Sequence, residues 1–211
     1  MSYPAHHIEG ARLCAAVYDT KDVWSVRETD ALVVVRDHVI DIAFRGTEFS
    51  NAWPMKWSWE GLSNTRDVIR DLRFIPHLDK MGYWCHKGFS ISAESFASHF
   101  ALRLLRYRLP LRFYGHSLGG GIAPHAARWF HNMGFDVLEV VTYGEPASCY
   151  FGSEKKYQSL NIPTTSYLHA NDWIQKAPPW GSTAVERTRI NPEPGISRKA
   201  HDIGEYVRAM G

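Results

Sequence analysis

Apolar residues recur along this chain with two periods in alternation, one suited to helices and one to strands. Small and apolar positions stand at helical spacing over residues 8–18, which predicts a first helix packing Leu13, Ala16 and Val17 inward. Residues 31–35 and 39–44 are β-branched or apolar runs, and the polar Arg36-Asp37-His38 between them suits a hairpin turn. Helical spacing returns over 89–109 through Phe96, Phe100, Leu104 and Leu105, with Arg103, Arg106 and Arg108 mostly outward, until Pro110 ends it. A short apolar run then enters Gly115-His116-Ser117-Leu118-Gly119, a helix-like segment follows, and Val137–Tyr143 and Thr164–His169 read as buried strands. In an open α/β sheet the chemistry collects at the carboxyl ends of strands, where Thr47, Ser117 and Asp172 all fall.

Two stretches break the pattern. Pro124 stands beyond the first turn of the segment after Ser117, where it costs a helical hydrogen bond or kinks the helix. Residues 49–64, FSNAWPMKWSWEGLSN, place Trp53, Trp57 and Trp59 close together with neither period. So much aromatic surface calls for cover, as a wall packed on the core, a contact between copies or a lid.

Composition adds mostly exclusions. A chain of 211 residues with 45% hydrophobic residues and no linker, repeat or low-complexity tract suits one globular domain over 1–211. A net charge of +2, with Lys and Arg dispersed among acids, gives no footprint for nucleic acid. No stretch is long enough to span a bilayer. The N-terminal residues lack the basic and apolar regions of a secretory signal, so synthesis in the cytoplasm is the expectation, with export by another route left open. Cys14, Cys85 and Cys149 are odd in number and far apart, which points to free, buried thiols.

The chemistry centres on Gly115-His116-Ser117-Leu118-Gly119, a G-x-S-x-G pattern. Such an elbow holds a serine on a tight strand-to-helix turn, and small residues two before and two after it let the backbone bend without clashing. The following helix aims its partly positive N-terminus where a negative oxygen develops in acyl transfer. A glycine-rich turn with an incidental serine fits the bare pattern equally well. Asp67 and Asp71 would share a helix face, where capping and ion pairing are their simpler work. His86 reads as structural, and His99 as exposed or at an interface.

Several further motifs, in order, resemble the class 3 lipase family of α/β-hydrolases. Ala43-Phe44-Arg45-Gly46-Thr47 is similar to the family's FRG[ST] strand end, and Asp67-Val68-Ile69-Arg70-Asp71-Leu72 to DWxxDL with Val68 in place of tryptophan. His86-Lys87-Gly88-Phe89 resembles HxGF, GHSLGG is matched without a change, and Thr142-Tyr143-Gly144-Glu145-Pro146 resembles TYGxP. The likeness runs on to Asn171-Asp172 and His201. It implies an α/β-hydrolase fold, a central mostly parallel or mixed sheet flanked by helices, with 49–64 in the place of the fungal members' lid. It also implies a serine ester hydrolase, most simply a lipase acting on acylglycerols or related lipid esters through an acyl-enzyme. A phospholipase or acyltransferase on the same machinery, or a lipid-binding protein without catalysis, are the alternatives.

The triad order of such hydrolases is Ser, then Asp or Glu, then His. His201 is the sole histidine after Asp172, and therefore the expected base. Asp172 is the expected acid: Asp136 starts its strand, at the wrong edge, and Glu145 belongs to the TYGxP turn. The N–H groups of Thr47 and Leu118 are the expected oxyanion hole, although Thr47 by itself would read as a capping residue. The expected partner is a lipid or ester substrate, with transient contact to a lipid surface. No cofactor or metal is implied by this chemistry, and no HExxH or clustered Cys/His spacing is present.

Overall fold

Three strands follow one another through short connections: β1 (Trp24–Val26), β2 (Thr29–Val35) and β3 (Ile40–Phe44). Each pairs antiparallel with the next, and Val35 faces Ile40 across the expected Arg36-Asp37-His38 turn. The structure, a computed structural model, describes residues 3–27, 29–46, 75–172, 174, 178–190 and 199–211. Thr47, the 49–64 stretch, and Asp67 and Asp71 lie outside the described residues.

Beyond β3 a helix precedes each of the next three strands of this sheet and returns the chain in the same direction. β4 (Pro76–Leu78) and β5 (Trp84–His86) form a separate antiparallel pair. β6 (Leu111–His116), β7 (Val137–Tyr143), β8 (Thr164–His169) and β9 (Arg187–Ile190) are parallel to β3 and to one another. Among the described residues the result is a mixed seven-stranded sheet in the order β1-β2-β3-β6-β7-β8-β9, an α/β-hydrolase-like arrangement. Its parallel centre must be covered on both faces.

The side-chain alternation of the strands assigns each residue to a face. Ile40, Ile42, Phe44, Phe113 and Val140 enter one core with helices α2 (Lys87–Leu105) and α3 (Leu118–Asn132). Ala43, Tyr114, Val141, Tyr143 and Tyr167 enter the other with α1 (Ala5–Asp19). A short helix α4 (Ser153–Gln158) precedes β8. The last helix, α5 (Ile203–Met210), completes the second core with Tyr206 and Met210.

Local differences from the sequence reading have simple causes. In α1 the buried stripe is Gly10, Leu13, Cys14 and Val17, at i, i+3, i+4 and i+7, and this leaves Ala16 exposed rather than inward. α2 stops at Leu105, not Leu109. The amides of Tyr107 and Arg108 bond back to the carbonyls of Leu104 and Leu105, and Arg108 has φ +53°. Leu109 still packs on the core, from the loop, which is why it sustains the helical pattern in the sequence. α3 runs through Pro124 to Asn132. His86 caps α2 through Nδ1, which accepts the Phe89 N–H at 3.3 Å, while His99 is exposed. All three cysteines are free and buried, and burial pushes the thiols of Cys85 and Cys149 up to about 11 and about 12. Among the described residues no helix is long and apolar enough to cross a membrane.

Candidate active site

The elbow is built by close approach of backbones. A Cβ on Gly115 would lie 2.2 Å from the Gly119 carbonyl oxygen, and one on Gly119 would lie 2.2 Å from that of Phe44 at the end of β3. Only glycine fits at either place. Between them Ser117 takes φ +54° and ψ −124°, a conformation costly for a residue with a side chain. Its amide is anchored on the Tyr143 carbonyl of the neighbouring strand at 3.0 Å. The strained turn leaves Ser117 partly exposed at the N-terminus of α3, with Leu118 buried in the first turn. The N–H groups that point out of that turn and the helix dipole favour negative charge there.

His201 sits in a 3₁₀ turn, Lys199–His201, just before α5. The Asp202 side chain caps α5 by accepting the Gly204 N–H at 2.7 Å, which fixes where the turn ends. The imidazole reaches Ser117 Oγ through Nε2 at 2.9 Å and Asp172 Oδ2 through Nδ1 at 2.8 Å. Asp172, after the end of β8, is completely buried. Its Oδ2 also accepts the Tyr206 hydroxyl at 2.6 Å, and its Oδ1 accepts the Ile174 N–H at 2.9 Å. Gly144 makes room for this junction: with φ +56°, it lies where a Cβ would be 2.7 Å from Asp172 Oδ2 and from the Tyr206 hydroxyl. The geometry thus brings together Ser117, His201 and Asp172, and it puts Leu118 beside the serine. Thr47 remains outside the described residues.

The rival acids are placed elsewhere. Asp136 is exposed and its carbonyl accepts the Leu111 N–H at the starting edge of the parallel strands. Glu145 is buried against the first turn of α3, near Gly120, with neither carboxyl oxygen hydrogen-bonded among the described residues. Burial pushes its carboxyl up to about 7, partly offset by the nearby Arg187 guanidinium and the Ser166 and Thr142 hydroxyls.

Two supporting residues escape a motif search. Tyr206 donates to Asp172 and accepts the His169 N–H at 3.1 Å, joining α5 to β8. Burial and the neighbouring Asp172 hold its hydroxyl well above the ordinary value, so it stays a donor. His116 donates from Nε2 to the His201 carbonyl at 2.8 Å. Burial, and then the proximity of His201, lowers His116 to about 3, so it remains neutral and fixes the backbone under the His201 ring. Tyr206 offered only its place five residues after His201 on an amphipathic helix, and His116 only its place inside the elbow.

The chemistry of this hydrogen-bonded chain is that of serine nucleophiles generally, and its wider setting decides the family. The class 3 lipase model matches residues 42–182, two thirds of the chain. The chain belongs to the class 3 lipase family. Membership makes it a carboxylic ester hydrolase. Solved lipases share the fold at low identity. The triacylglyceride lipase of Rhizomucor miehei is 22% identical, with 92% of this chain and 83% of that chain covered and a TM-score of 0.71. A triacylglycerol lipase whose catalytic centre is a serine-protease triad is 23% identical, with 88% and 77% covered and a TM-score of 0.65. A fungal lipase–inhibitor complex that provided a model for interfacial activation is 21% identical, with 92% and 83% covered and a TM-score of 0.66. No curated protein matches the chain.

Proposed function

We propose that this class 3 lipase cleaves acylglycerols or related lipid esters, with Ser117 as nucleophile, His201 as general base and acid, and Asp172 as the group that orients and charges-balances the imidazole. The observation that carries this reading is the continuous hydrogen-bonded chain from Ser117 Oγ through His201 to Asp172. A serine hydroxyl is nearly inert at neutral pH, so His201 Nε2 takes its proton as Oγ attacks the ester carbonyl. The carbonyl oxygen becomes an oxyanion that the N–H groups of Leu118 and Thr47 stabilise, Thr47 on the strength of the family likeness. Losing one such donor typically costs on the order of 10²–10³ in rate. His201 then gives the proton to the departing alcohol, leaving an acyl-Ser117, and a water activated by the same imidazole hydrolyses it to free acid and serine. Relatives described as triacylglycerol lipases, one of them with a serine-protease triad, support both the substrate class and the three roles.

The test is a hydrolysis panel from short soluble esters through mono-, di- and triacylglycerols to phospholipids. Acylglycerols are expected to give the highest kcat/KM. Turnover of phospholipids alone, or acyl transfer to an alcohol in preference to water, would contradict the assignment.

A further inference from the structure

The first turn of α1 carries a second constellation, remote from the serine. His6 Nε2 lies 2.8 Å from Glu139 Oε2, and His7 Nε2 lies 2.7 Å from Glu139 Oε1. Neighbouring side chains on a helix diverge by about 100°. Here the two rings nevertheless converge on one carboxylate, with centroids 4.5 Å apart and planes at 85°. We propose that His6, His7 and Glu139 bind a divalent transition-metal cation, Zn²⁺ being the best match to two imidazoles and a carboxylate. Glu139 stands four residues back along β7 from Tyr143, whose carbonyl anchors the elbow, so the site is about 13 Å along the strand from the catalytic edge.

The surroundings are organised as a ligand set requires. Three tyrosines of consecutive sheet neighbours hold the histidines. The Tyr114 hydroxyl donates to the His6 carbonyl at 3.2 Å, the Tyr143 hydroxyl donates to the His7 carbonyl, and the Tyr167 hydroxyl lies 2.8 Å from His7 Nδ1. Backbone and ring are thereby fixed before any ion arrives, which lowers the ordering cost of binding.

The proton balance is also accommodated. Facing a carboxylate that can only accept, each imidazole presents an Nε2–H to it. When Nε2 binds an ion the proton moves to Nδ1, and at His7 that Nδ1–H then donates to the Tyr167 oxygen. This is the outer hydrogen bond that metal-bound histidines characteristically make. The three ligand atoms lie within 4.8 Å of one another, against the roughly 3.3 Å between ligands that Zn²⁺ bonds of about 2.0–2.2 Å require. His6, with 43% of its side chain exposed, can swing to close that difference and leaves a side open for a water as fourth ligand. No His-x-x-His spacing announces the site, because the carboxylate comes 132 residues after His7.

The experiment titrates the metal-stripped chain with Zn²⁺ by calorimetry and with Co²⁺ by visible absorption, following Tm in parallel. One ion per chain, a tetrahedral Co²⁺ spectrum and a Tm that rises with Zn²⁺ concentration are expected. His6→Ala, at an exposed position that spares the fold, and Glu139→Gln should each weaken binding at least ten-fold and remove the Tm rise. No binding by the parent chain, or equally tight binding by the circular-dichroism-verified His6→Ala variant, would overturn the proposal.

Discussion

Asp172 accepts three hydrogen bonds in a fully buried position, from His201, Tyr206 and Ile174, and the first two have separable consequences. Asp172→Asn replaces an acceptor by an amide that favours the wrong imidazole tautomer, and should lower kcat by about 10³–10⁴ with little change in Tm. Tyr206→Phe keeps the ring in the core but removes the hydroxyl from Asp172 and from the His169 N–H. A charge-assisted hydrogen bond contributes about 1.5–3 kcal/mol, so kcat/KM should fall about 10–100-fold, measured on a soluble ester. An unchanged rate would show that Asp172 is held without Tyr206. Glu145 gives a pH signature of the opposite sign to most carboxylates. Its folded value of about 7 lies above the ordinary 4.5, so the folded chain keeps a proton that the unfolded chain releases. Stability from this group is full below about 4.5 and is lost as pH rises toward and past about 7, on the order of 3 kcal/mol in all. Glu145→Gln should flatten the decline of Tm between pH 5 and 8, and parallel curves for the two proteins would contradict this account.

Elements were readable where packing and period agree. β2, β3, β7 and β8 stand where their apolar runs end, because most of their side chains are buried or half-buried against the two cores. β9 was not readable: Arg187-Thr188-Arg189-Ile190 is an edge strand with two arginines and one buried residue, a pattern that a solvated loop shares. β1, β4 and β5 are three residues each, too short for a period to establish itself. The elbow belongs to this scale as well, since its glycines separate elements, not side chains. Gly119→Ala would drive a methyl group into the Phe44 carbonyl of β3. It should lower Tm and abolish hydrolysis together, because backbone on both sides must move. A variant with normal Tm and activity would mean the crossing of β3 and the elbow is looser than described.

At the scale of the molecule, the parallel strands carry Ser117 and Asp172 to the same edge of the sheet, and α5, packed beside α1, returns His201 between them. That Ser117, Asp172 and His201 belong together is legible in the sequence because chain order and strand ends restrict the choice, and the structure brings the three side chains within hydrogen-bond distance. Tyr206 and His116 are not legible there, since their importance lies in contacts between residues far apart in the chain, 34 and 85 positions respectively. The central claim is that this assembly activates Ser117. Its most direct measurement is covalent labelling by a serine-reactive alkylphosphonate, with the modified peptide located by mass spectrometry and the rate followed in parent, Ser117→Ala and His201→Ala chains. The account predicts one phosphonate per chain on Ser117, none on Ser117→Ala, and labelling of His201→Ala slowed by about 10³ or more. Labelling that persists in Ser117→Ala, or proceeds at the parental rate without His201, would contradict it.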